Sequence, residues 1–172
     1  MRRVNPRVLV SVLGLVLLAA SCAPKVGVPS TPTPTPFYCP VTLPNGMTPP
    51  KEVPDPSYHG NGTIWTALWP DGIVVFRPGG SGTINPDGSL GIKWPWWRSI
   101  EGPVILDATR LDAPAPRMQT NVLRGLDDGY GTTGFHPSEL LFPTPGCWEV
   151  TATVQDATLS FVTLVVRVDT PK

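Results

Sequence analysis

The amino-acid sequence predicts an all-β protein, an antiparallel β-sandwich, and three observations carry that reading. No stretch after residue 22 keeps apolar residues at helical spacing for three turns. About seven short β-rich runs, separated by Pro, Gly, Asn and Asp, fill about 130 residues. The last two runs alternate apolar and polar residues, the two-residue period of a strand.

The first run is residues 63–68 (TIWTAL) and the second is 73–76 (IVVF). Between them lies Trp69-Pro70-Asp71-Gly72. Pro presets φ, Asp bonds its own backbone and Gly takes φ > 0, so the spacing predicts a hairpin. Asn85-Pro86-Asp87-Gly88 repeats that chemistry and links 78–84 to 89–94. Residues 104–111 form a further strand. Residues 112–133 read as a long loop, with one strand or helical turn at 118–123. In 147–154 (CWEVTATV), Trp148, Val150, Ala152 and Val154 share the core face, and Cys147 and Glu149 the other. Gln155-Asp156-Ala157 makes the turn. In 159–168 (LSFVTLVVRV) Val162, Leu164, Val166 and Val168 then continue the apolar wall.

The N-terminal part has another character. Arg2, Arg3 and Arg7 precede an apolar run at 8–20, which is short for a membrane span and the length of a signal-peptide core. It ends in Leu18-Ala19-Ala20-Ser21-Cys22. This resembles the lipobox of bacterial lipoproteins. The resemblance implies that residues 1–21 are removed, that Cys22 is lipidated, and that the chain is anchored by lipid to a bacterial cell membrane or outer membrane, on the extracytoplasmic side. Removing residues 1–21 takes three Arg and no acids, leaving 10 Lys+Arg against 13 Asp+Glu and a side-chain net charge of −3. Residues 22–36 are a Pro/Thr-rich tether. The run APKVGVPSTPTPTP favours extended polyproline II and would hold the domain roughly 40 Å from the lipid. The single β-sandwich domain occupies 37–172. Its first part, 40–58, is rich in Pro and is expected to run as ordered coil.

The end of the chain resembles immunoglobulin-like domains of bacterial envelope proteins. The similar stretch runs from Gly134-Phe135-His136-Pro137 through Phe142-Pro143 to Pro145-Gly146-Cys147-Trp148-Glu149-Val150. It implies an immunoglobulin-like sandwich, in which a Pro/Gly corner feeds the penultimate strand. Trp148 takes the inward position there, so Cys147 points outward and the inter-sheet cystine of antibody domains is not expected.

Three cysteines are present. With Cys22 committed to lipid, Cys39 and Cys147 form the one possible intramolecular bridge, which an oxidising compartment permits. It would pin the N-terminal coil to the outer face of the penultimate strand.

Signals of chemistry are sparse. His59 and His136 are the two histidines, and nothing in their spacing brings them together with Asp55 or Glu139 as a metal site. Ser138, His136 and Asp128 could be assembled into a triad, but no nucleophile elbow accompanies them. Asp127-Asp128-Gly129 has too few acids for calcium. No P-loop or HExxH motif is present. Balanced charge, 13 Lys+Arg against 13 Asp+Glu, argues against nucleic acid. The unusual feature is Trp94-Pro95-Trp96-Trp97-Arg98. Pro95 disfavours a central strand, so Trp94, Trp96, Trp97 and Arg98 are expected on an edge or loop. There they could stack on sugar rings; the alternative is packing. The expectation is a non-catalytic, cofactor-free envelope protein with an interaction or structural role toward an envelope protein. The alternative is a carbohydrate-binding module using Trp94–Trp97 toward a glycan.

Overall fold

The computed structural model describes residues 37–122 and 130–169. Among them there is no helix. Cys22, the tether and Asp127-Asp128 lie outside the described residues. Ten strands follow in chain order: β1 (Tyr58–Gly60), β2 (Ile64–Ala67), β3 (Ile73–Phe76), β4 (Thr83–Ile84), β5 (Leu90–Arg98), β6 (Ile105–Arg110), β7 (Gln119–Val122), β8 (Gly134–Phe142), β9 (Gly146–Val154) and β10 (Ala157–Arg167). One sheet has the order β1-β2-β5-β8-β7, with β4 also on β5; the other has the order β3-β10-β9-β6. Every pairing is antiparallel except β3 with β10, which is parallel.

The core lies between the sheets. Leu90, Ile92, Trp94 and Trp96 of β5 face Trp148, Val150, Ala152 and Val154 of β9 and Phe161 of β10. Trp94 stacks on Phe161 with centroids 5.2 Å apart and planes 16° apart. The alternation expected for β9 holds throughout, and Trp148 is fully buried.

The expected face of β10 does not hold. Leu159, Phe161, Thr163 and Val165 are buried, while Val168 is exposed and Val162, Leu164 and Val166 are half-buried. The reason is the turn. Val154 pairs directly with Ala157, so the turn has two residues, Gln155 and Asp156, with Gln155 at φ 54°. A three-residue turn would have set Val162 opposite Val150; the observed partner is Phe161. One residue of slip exchanges the two faces of a strand.

The turn at Trp69–Gly72 forms as expected, but not as a hairpin. Gly72 N–H donates to Trp69 C=O (2.9 Å), and Asp71 Oδ1 accepts from Ile73 N–H (3.1 Å). However, β2 already has both edges occupied, by β1 and β5. The chain therefore crosses to the other sheet, where β3 pairs with β10. The second turn, Asn85–Gly88, does close a hairpin, with Ile84 opposite Leu90. β1 begins at the last residue of the stretch read from sequence as coil, and β8 lies in a stretch to which no strand was assigned.

Pro95 lies in the middle of a central strand, against expectation. It sits directly opposite Pro137 of β8. Neither can donate, so this is a non-hydrogen-bonded pair whose missing N–H groups turn away from each other. On the Pro95 side the missing group turns toward the end of β2, at Ala67. Pro95 C=O is taken by the Thr66 hydroxyl (2.8 Å). No ladder bond between β5 and β8 is lost.

Candidate functional site

The glycan platform held as the alternative reading of these residues is not on the surface. Trp94, Trp96, Trp97 and Arg98 are all buried, at 1%, 0%, 8% and 4% exposure. Trp94 and Trp96 are core residues, and their indole N–H groups are held inside. Trp94 donates to Thr66 Oγ1 (2.8 Å) and Trp96 to Ser138 Oγ (3.0 Å). Ser138 is thus committed to the core; its hydroxyl donates in turn to Trp94 C=O (3.2 Å). Trp97 lies on the outer face, beside Tyr58 and Phe135, and donates to Glu52 of the N-terminal coil (3.0 Å). Arg98 holds the carbonyls of Thr132 and Gly131, both at 3.0 Å. Desolvation lowers its pKa. None of the four offers a face to a sugar.

His136 and Glu139 stand on opposite faces of β8, His136 inward, so they cannot converge. Among the described residues no three His, Cys, Asp or Glu side chains gather as a metal site. Gly129-Tyr130-Gly131-Thr132-Thr133-Gly134 has GxGxxG spacing, but it leads into β8 rather than into a helix. The phosphate-binding reading of that spacing needs a helix N-terminus.

Cys39 and Cys147 are bridged, with Cα atoms 5.6 Å apart. The bridge begins a strap that passes from one sheet to the other. Thr42 N–H donates to Val162 C=O (2.8 Å), and Val162 N–H donates to Thr42 Oγ1 (2.9 Å). Thr42 thereby covers the edge of β10 just before β3 begins. Gly72 must be glycine here, since a Cβ would lie 2.6 Å from Val41 Cβ. Farther on, the Asn45 side chain pairs with both backbone groups of Gly60, donating to its C=O (2.7 Å) and accepting from its N–H (3.1 Å). The amide imitates a neighbouring strand and closes the edge at β1.

His59 lies on the core-facing side of β1 beneath this strap, with a hydrogen bond to the Leu43 backbone. Its Nδ1 is buried without a partner. Burial holds its pKa below the ordinary 6.5, outweighing the Leu43 bond. Below that pH the unfolded chain takes up a proton that the folded chain refuses, so stability falls as pH drops from neutrality through 6.5. Asp55, Asp87 and Asp112 have lowered pKa values and lose their contributions only below the ordinary 3.8. Urea midpoints measured between pH 8 and pH 5 should therefore decline in the native protein and stay flatter in His59→Gln. Equal slopes would overturn the assignment.

The described residues include two surface grooves. The smaller, ≈ 280 Å³, lies beside β6 and includes Arg110 and Arg117. Arg110 is engaged there, with Asp112 (2.7 Å) and Thr144 (3.0 Å). The larger, ≈ 480 Å³, runs along β3. Its floor is Ile73 and Val75, its ends are Asp71 and Arg77, and Trp69 and Ser81 stand at its sides. The Trp69–Gly72 turn positions one end. The turn in which Gly80 N–H donates to Arg77 C=O (2.9 Å) positions the other. Trp69 leans on Trp94 with centroids 5.0 Å apart, which ties the groove to the core. An apolar floor between two opposite charges suits binding. Sequence reasoning missed this groove because it paired β3 with β2, which would have covered the edge. The available signal was the short apolar run Ile73–Phe76 between the charged residues Asp71 and Arg77. Compared with known proteins, the chain matches no family model, no curated sequence and no solved structure.

Proposed function

We propose that this chain is a lipid-anchored protein of the bacterial cell envelope, whose non-catalytic β-sandwich serves an interaction or structural role. The observation that carries the reading is the position of the bridge. Cys39 stands three residues after the Pro/Thr-rich stretch ends, and its bond to Cys147 secures the point where a tether would join the domain. A disulfide suits an exported chain in an oxidising compartment. The basic start, short apolar run and Cys22 supply the matching export and acylation signals.

Within this reading the domain is immunoglobulin-like. In such folds one sheet is ABED and the other CFG. The orders β2-β5-β8-β7 and β10-β9-β6 correspond to those two sheets. The crossing at Trp69–Gly72 then divides the first strand between them, which accounts for the parallel pairing of β3 with β10.

The test is metabolic labelling with palmitate. The native chain should take up label in the membrane fraction, and Cys22→Ser should not. Undiminished labelling of Cys22→Ser would sink the lipoprotein reading.

A further inference from the structure

We infer that the free edge of β3 is an interface at which two copies of this chain pair, antiparallel, about a two-fold axis through Val74. The directions of the backbone groups are the starting point. Leu164 N–H donates to Gly72 C=O (3.0 Å) and Val168 N–H donates to Phe76 C=O (2.8 Å). The even-numbered residues of β3 thus turn their peptide groups to β10, and Ile73 and Val75 turn theirs to the other side. Among the described residues no strand pairs there. Ile73 N–H is taken by Asp71 Oδ1 and Arg77 C=O by Gly80. Val75 N–H, Val75 C=O and Ile73 C=O are left facing the ≈ 480 Å³ groove. Edge strands are ordinarily blunted by Lys, Pro or a bulge. Ile73-Val74-Val75-Phe76 is short but carries none of these three, and Val75 is 45% exposed.

Charge complementarity selects the occupant. With Val74 opposite the partner's Val74, Ile73 faces the partner's Val75, and Asp71 faces the partner's Arg77. Symmetry makes each pairing twice. Ile73 and Val75 turn their peptide groups outward, so in each such pair Val75 N–H meets the partner's Ile73 C=O, the reverse bond forms when Ile73 N–H exchanges Asp71 Oδ1 for the partner's Val75 C=O, and the apolar side chains share a face. Asp71 and Arg77 are exposed, and neither enters an ion pair among the described residues. The same register brings Trp69 toward the partner's Gly79 and Gly80, whose lack of side chains leaves room for the ring. Slipping the pair by one residue sets outward peptide groups against inward ones. Slipping the axis to residue 73 puts Asp71 opposite the partner's Val75. The segment from Asp71 to Arg77 is thus complementary to itself in one register, as an isologous interface requires. Pairing joins the two four-stranded sheets into one continuous sheet. It does not require acylation of Cys22, so this interface and the lipid anchor fail or hold separately.

Sedimentation velocity of the full chain in detergent, over a concentration series, tests the pairing. The native chain should show a reversible monomer–dimer equilibrium. Arg77→Asp or Asp71→Arg alone should weaken it about tenfold, since each sets two like-charge pairs face to face. The double exchange should restore it. Val75→Pro removes an N–H that the folded monomer does not use and should abolish the dimer. Thermal melts of Arg77→Asp, an exposed site, should match the native chain. A native chain that stays monomeric at every concentration, or a dimer indifferent to Arg77→Asp and Val75→Pro, overturns the proposal.

Discussion

Replacing Trp148 with alanine is expected to cost about 3–5 kcal/mol, enough to unfold a domain whose whole stability is about 5–15 kcal/mol. The residue is fully buried. Its ring packs against Phe142 with centroids 5.7 Å apart, so it spans from β9 to β8 of the opposite sheet. Its indole N–H donates to Thr144 C=O (3.1 Å) in the preceding turn. Alanine would leave a cavity the size of an indole and free that carbonyl. Glu149, next along on the opposite face, is exposed and should tolerate alanine within about 0.5 kcal/mol. Urea denaturation of both variants decides the matter. Equal small losses would mean that the face assignment of β9 is wrong.

The second large effect is expected from the bridge. Cys39 and Cys147 are separated by 108 residues. A loop of that length implies roughly 4–5 kcal/mol of lost denatured-state entropy as an upper figure. Replacing both cysteines with alanine should lower stability by about 2–5 kcal/mol. It should also release the start of the strap. Limited proteolysis should then cut the double variant between residues 37 and 56 well before the native chain, because Thr42, through its bonds to Val162, would become the first hydrogen-bonded hold of the strap on β10. A native-like midpoint and cleavage pattern would show that the strap needs no covalent support.

The legible parts of the fold were those where one local pattern has one outcome. β9 alternates strictly, so its buried face followed directly. Asn85–Gly88 carries a complete turn signal with free edges on both flanks, and it closed its hairpin. The pairing of Cys39 with Cys147 followed from elimination, and the structure contains it. β10 was harder because both of its faces are largely apolar. There the length of one turn chose between Phe161 and Val162, and that length is not written in the hydrophobic pattern. The division of β2 and β3 between sheets was hidden because it depends on which edges are already occupied. Pro95 misled for a related reason. A lone proline argues against a central strand, but one facing Pro137 across a non-hydrogen-bonded pair costs that ladder nothing. The Trp94–Trp97 cluster was conspicuous in sequence for what proved to be packing, and the β3 groove was inconspicuous because short apolar strands are common.

The bridge also decides how the domain meets a mechanical load. A pull transmitted through residue 37 enters at Cys39 and crosses the disulfide directly to Cys147. The covalent loop between the two cysteines is bypassed, so tension does not peel the strap or unzip β1 to β8 in sequence. The load arrives instead on β9, an inner strand flanked by β10 and β6. To yield, β9 must shear against both neighbours, along Gly146–Val154 with β10 and Trp148–Thr153 with β6. Many backbone hydrogen bonds then resist together. With the bridge reduced, the same pull would open the strap one bond at a time, beginning at Thr42. A pull on the N-terminal end of the domain is in this way taken up at an inner strand rather than at its loose margin.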